Sequence, residues 1–457
     1  MFLAIIWSEV GMVVAKLLLS LSILVVLHEF GHYITARWFG CRVEKFYLFF
    51  DPWFSIFKKK IGQTEYGIGW LPLGGYVKIA GMIDESMDKE QLALPAKPDE
   101  FRSKPAWQRL IIMLGGVTVN VLLAFIIYAG ILMYWGDKKV PLSSMKYGIS
   151  IQDSLMYDMG FKDGDKILAA NGESIEDYYD IVKKVIVSEN VTINRDGKEQ
   201  ILQLPVNFIG KLVEKKKSNT PLISPRVPAI LGIVPDSLPA FKAGLRAGDE
   251  IVAIDSTPVA YFDVLRGVLK SKSGTTAAVQ IKRGDSNMIV LCQVSDRGTL
   301  GVYPLFTMTE MEAAGVLKVE EKKYGFFAAI PAGISKAGEQ LKFYINQFKK
   351  ILSPKTEAYK GLGGFKSMAS IFPKTEWDWE SFWNITAFFS IILAFMNMLP
   401  IPALDGGHVL FTLIEMITGR KPNSKFLEYA QIVGMVLLLG LMLYANGNDW
   451  FGWGKNR

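Results

Sequence analysis

The chain has 457 residues, a net charge of +7, half of its residues hydrophobic and a mean hydropathy of +0.23. This hydropathy is higher than a soluble globular chain usually shows, and the concentration of apolar residues at the two ends suggests a membrane protein carrying a soluble insert. No Lys/Arg run is interleaved with aromatics in the manner of a nucleic-acid groove, so the basic excess points to a membrane surface instead.

In chain order, the first apolar stretch runs from Val10 to Phe30, about the 20 residues a bilayer requires, and is interrupted by Lys16, which is expected to snorkel toward the surface. No basic n-region or small-residue cleavage site marks it as a cleavable signal. It leads into VLHEFGHYITARWFG, which holds two of the chain's three histidines, His28, His32 and His408. An ionisable residue at that depth is costly and marks a functional site by default. Histidines four apart share one helix face and can ligate one metal ion. Glu29 beside them is placed as a general base, the H-E-x-x-H arrangement of zinc peptidases.

Next comes GWLPLGGYVKIAG, Gly69 to Gly81, read as a glycine-rich strand pair with an apolar edge. A second span, Leu110 to Trp135, ends in an aromatic belt. The middle of the chain contains a repeat: GFKDGDKILAANGESI from Gly160 aligns with GLRAGDEIVAIDSTPV from Gly244, which predicts two tandem β-modules. Tyr324 to Leu352 has helical amphipathic spacing, expected either along the membrane surface or packed on the second module. Third and fourth spans are read at Phe382–Leu399 and Ala430–Ala445.

Basic residues place the short connections in the cytoplasm: Arg37, Arg42 and Lys45; Arg102, Lys104 and Arg109; Arg420, Lys421 and Lys425. Both termini and the 136–381 segment are then expected outside. Cys41 and Cys292 would face opposite sides and form no disulfide. A catalytic zinc needs a third protein ligand. The end of the third span, NMLPIPALDGGHVL, offers Asp405 and, three residues on, His408; either could ligate, or His408 could hydrogen-bond to a ligand.

HEFGH after a first span, together with NMLPIPALDGGH, resembles the site-2 protease family of intramembrane zinc metalloproteases, peptidase M50. RAGDEIVAIDSTPV and KDGDKILAANGESI resemble PDZ domains. With these the chain is similar to the bacterial regulator-of-sigma-E protease type. The resemblance implies one Zn2+ per chain held by His28, His32 and Asp405, Glu29 as catalytic base and His408 as a candidate supporting residue. It also implies a re-entrant β-hairpin near 65–81. Asn397, Pro400, Gly74, Gly75 and Tyr76 would then hold an unwound substrate strand.

The expected fold is a polytopic α-helical membrane protein with four transmembrane helices, the re-entrant hairpin and two α/β PDZ-like domains between the second and third spans. Residues 1–40 form the first span with its zinc motif, 41–106 the cytoplasmic loop with the hairpin, and 107–136 the second span. The modules occupy 137–222 and 223–310, and 311–380 the amphipathic helix region. Residues 381–410 form the third span with its motif, and 411–457 the connection, fourth span and tail. The implied activity is cleavage of single-span membrane proteins, such as an anti-sigma factor or remnant signal peptides, after a prior extracytoplasmic cut. It is placed in the bacterial inner membrane, with peptide ends or periplasmic domains engaging the PDZ-like modules. The rivals are a catalytically silent membrane-anchored PDZ scaffold or chaperone and, more remotely, a metal transporter, which usually shows repeated spans that this chain lacks.

Overall fold

A leucine- and valine-rich stretch free of proline builds α1 (Phe2–Trp38). The helix continues well past the end expected from hydropathy, so the HEFGH residues sit within uninterrupted helix. The computed structural model describes residues 2–72, 74–82, 95–215, 221–374 and 376–454. Leu73 of the Gly69–Gly81 stretch and residues 83–94 of the first loop fall outside these. The chain divides into two units: Met1–Gly136, Lys323–Lys349 and Lys360–Arg457 in one, Asp137–Lys322 and Lys350–Tyr359 in the other.

In the first unit α1 crosses α2 (Ala106–Tyr134) at a pair of glycines. A Cβ on Gly31 would lie 2.3 Å from the Gly115 carbonyl oxygen, and one on Gly115 2.5 Å from that of Gly31. Only hydrogen fits at this crossing, the small-residue device by which apolar helices approach closely. Next in this unit come α3 (Phe326–Leu352), α4 (Trp379–Met398), α5 (Asp405–Thr418) and α6 (Ser424–Phe451). Among the described residues, four helical stretches are long and apolar enough to cross a membrane: Glu9–Trp38, Ala106–Tyr134, Trp379–Met398 and Lys425–Phe451.

Two expectations are corrected here. Lys16 does not snorkel. It is buried, and its Nζ donates to the carbonyls of Pro373 (2.7 Å) and Glu376 (2.5 Å), because the segment before α4 folds back over α1. Second, the strands flanking Leu71–Tyr76 are not a hairpin. A four-stranded sheet is formed by β1 (Val43–Leu48), β2 (Phe50–Ile61), β3 (Thr64–Leu71) and β4 (Tyr76–Ile79) in the order β2-β3-β1-β4. The chain crosses over β1 between β3 and β4, helped by Gly74 at φ +143°, and the true hairpin is β2–β3.

The second unit displays the repeat. In its first half the strands run Lys198–Gln203, Asn190–Arg195, Lys166–Ala170, Glu173–Ser174 across one sheet; in its second half Ser286–Gln293, Thr276–Arg283, Glu250–Ile254, Thr257–Pro258 run in the same order. The aspartate of each Gly-Asp pair is buried on an arginine. Asp165 accepts from Arg195 Nε at 2.7 Å and Asp249 from Arg283 Nε at 2.6 Å, and each arginine also donates to the glycine that begins its repeat, Gly160 or Gly244. Ile223–Pro225 pairs with Ile149–Ile151, so the first half extends beyond the boundary expected at 222.

Candidate metal and peptidase site

Helix α1 turns once between His28 and His32, which brings their Nε2 atoms to 3.3 Å. Both rings are buried, and each Nε2 lies 3.2 Å from Asp405 Oδ2. These three side chains alone, among the described residues, form a cluster of candidate metal ligands. A tetrahedral zinc with bonds of about 2.0–2.1 Å needs donors roughly 3.3 Å apart. Two imidazoles and one carboxylate at that spacing fit a catalytic zinc that keeps a fourth position open.

The local sequence explains why Asp405 arrives there. After α4 ends, Pro400 and Pro402 deny the backbone a continuous helix. Ala403 adopts a left-handed φ of 80°, a strained conformation for a residue with a Cβ. The chain then re-enters helix at Asp405. The two following glycines allow this tight return: a Cβ on Gly406 would lie 2.2 Å from the Leu399 oxygen, and one on Gly407 2.6 Å from that of Ile401. From α6, Gly434 packs on the same loop, where a Cβ would collide with the Pro402 carbonyl. The span ends at Met398, next to the Leu399 end read from the sequence, and the rest of its motif is a break followed by a separate helix. An ion pair joins Arg109 of α2 to Glu415 of α5 at 2.5 Å and docks the helix that bears Asp405.

A cavity of about 590 Å³ opens beside the cluster. Glu29, Gly75, Tyr76 and His408 line it, together with the ligand candidates and β4 from Tyr76 to Ile79. Because β4 is last in its sheet, one of its edges has no strand partner among the described residues. Tyr76 stacks on Tyr47 and donates to Asp51 Oδ1 at 2.8 Å, which fixes the strand's first residue. Asn397 Nδ2 lies 3.2 Å from His28 Nε2. His408 lines the cavity but stays out of the three-residue cluster, while Gly74 and the exposed Pro400 do not line the cavity.

Helix α2 supplies contacts that spacing alone did not single out. The Ile112 carbonyl lies 2.9 Å from His32 Nδ1, and since a carbonyl only accepts, that nitrogen carries the proton and leaves Nε2 free to ligate. Asn120, fully buried, lies 3.1 Å from His28 Nδ1. Between them, a Cβ on Gly116 would sit 2.4 Å from His32 Nε2 and 2.8 Å from His28 Nε2. The sequence offered MLGGVTVN, in which Gly115-Gly116 replaces the Gly-Pro usual in the family it resembles while Asn120 is kept, and the four-residue spacing of 112, 116 and 120; neither says what that face meets.

The sequence profile of peptidase family M50 matches residues 16–441. The chain belongs to peptidase family M50. Relatives agree along almost the full length. The regulator of sigma-E protease RseP of Escherichia coli (strain K12) is 27% identical, over 95% of this chain and 97% of its own. A regulator of sigma E protease of Haemophilus influenzae is 26% identical, over 94% and 97%. A Xylella fastidiosa (strain 9a5c) protein provisionally named a zinc metalloprotease is 27% identical, over 95% and 98%. This M50 peptidase is thus a membrane zinc metalloprotease of the site-2 protease type, a hydrolase with Zn2+ as cofactor.

Proposed function

We propose that this M50 peptidase cuts single-span membrane proteins within or beside the bilayer, with His28, His32 and Asp405 as the zinc ligands and Glu29 as the catalytic base. The observation that carries the reading is that Asp405 Oδ2 lies 3.2 Å from the Nε2 atoms of both His28 and His32, residues 373 or more positions earlier in the chain, while those two nitrogens are 3.3 Å apart. Bound there, the ion supplies Lewis-acid chemistry, drawing charge from a peptide carbonyl and making water acidic near neutral pH. Glu29 takes the proton of the attacking water and passes it to the leaving amine nitrogen. A helical substrate hides its carbonyls, so it must be extended before attack. The free edge of β4 offers strand hydrogen bonds to that extended segment, with Gly75 and Tyr76 at its start and Asn397 beside His28. Gly74 and Pro400 act through the chain path they impose, and His408 supports the wall from α5.

The β2–β3 hairpin exposes Trp53, Phe54, Ile56 and Phe57, which favours its seating in the membrane as the re-entrant element. The duplicated sheets are read as PDZ-like domains that capture peptide ends or exclude bulky periplasmic domains, so that substrates enter after an earlier extracytoplasmic cut. This is regulated intramembrane proteolysis at a bacterial inner membrane, on substrates such as an anti-sigma factor or remnant signal peptides. Termini and modules are assigned to the outer side by the basic loops.

The test is Glu29→Gln in purified protein. It is expected to keep one zinc per chain and to lose cleavage of a model transmembrane substrate by at least about 100-fold, the usual scale for a general base. Full cleavage by that variant disposes of the mechanism. Its comparison with wild type by membrane proteomics would identify the natural substrates as accumulated single-span fragments.

A further inference from the structure

We propose that Asn120 is a positioning residue that fixes the tautomer of His28, so that one face of α2 orients both histidines of the site. The inference rests on the ligand assignment above and goes beyond it. Ile112, Gly116 and Asn120 are spaced one turn apart and face α1 together. The backbone of Ile112 settles His32, and Gly116 leaves room for both rings. His28 has the opposite need met by a side chain. Its Nε2 faces Asp405 Oδ2 at 3.2 Å and His32 Nε2 at 3.3 Å, so that nitrogen must offer a lone pair and Nδ1 must hold the proton.

A proton on Nδ1 requires an acceptor, and the atom 3.1 Å away belongs to the Asn120 amide. With Nδ2 turned to the ring, Oδ1 is buried without a partner. Turning the amide over presents Oδ1 to the Nδ1 proton and fixes the ring for ligation. The residue is held for this task by its backbone as well: Ser390 of α4 donates to the Asn120 carbonyl at 2.7 Å in a fully buried contact. Residues that orient a ligating histidine through its other nitrogen change metal affinity by about 10- to 100-fold when removed.

The experiment measures zinc affinity of the detergent-solubilised full chain by chelator competition, alongside nitrogen NMR of histidine-labelled protein, where only three imidazoles contribute. Asn120→Leu removes the acceptor at similar size and is expected to weaken zinc binding about 10- to 100-fold. In the zinc-free protein His28 should lose its Nδ1–H form while His32 retains it. Asn120→Asp keeps an acceptor and should restore both readouts even if Asn120→Leu folds poorly. Wild-type affinity in Asn120→Leu, or zinc loss with the His28 tautomer unchanged, overturns the proposal, as does failure of Asn120→Asp to restore either readout. A paired control separates the two readings. If His28→Ala/His32→Ala retains zinc, the ligand assignment fails. If it loses zinc while Asn120→Leu does not, only the role of Asn120 fails.

Discussion

The β-rich unit and the candidate metal site of this peptidase treat their carboxylates differently. In the β-rich unit Asp165 and Asp249 each have an arginine built in, at 2.7 and 2.6 Å, so the buried charge is settled when the chain folds. In the helical unit Asp405 faces two imidazoles at 3.2 Å instead of a guanidinium. A carboxylate with its own cation is architecture, whereas one set against lone-pair donors is fit to receive a cation from solution.

The sharpest way to break this contrast is Asp405→Asn. The variant should lose most of its bound zinc, read by metal analysis after dialysis, and its peptidase activity with it, while helix content stays unchanged. Undiminished zinc would move the third ligand to His408. Asp165→Ala makes the complementary change. Arg195 is left without its partner, and the β-rich unit should lose about 3 kcal/mol, the lower end for a broken buried pair because the arginine keeps some solvent. Urea unfolding followed by a probe in that unit would measure it, and zinc content should not move. A smaller effect is expected from Lys16→Met, which preserves the buried stem but removes two hydrogen bonds to the Pro373 and Glu376 carbonyls. The cost should be about 1–3 kcal/mol of thermal stability, with zinc retained. Loss of zinc in either of the last two variants would show that architecture and site are not separable.

The contrast also explains what could be read before folding. HEFGH is legible because a helix converts spacing into a shared face, and the repeat is legible because both copies keep the same glycines and aspartate. The approach of Asp405 was legible from its prolines, but the new helix that begins at it was not, since the break looked like the end of a span. The place of β4 beside β1 escaped notice because strand order is decided by a crossover, which leaves no periodicity. The contacts of Lys16 and Asn120 were opaque for a related reason: the carbonyls and imidazole that meet them come from segments far away in sequence, and a lone polar residue in an apolar run looks the same whatever it touches.

The contact of Gly434 with the Pro402 carbonyl has a consequence for biosynthesis. Two of the three candidate ligands are synthesised more than 370 residues before the third, and the loop that aims the third is braced by a helix synthesised after it. A growing chain therefore carries both histidines without their carboxylate through the whole intervening segment, and the candidate centre is braced only once α6 has been made.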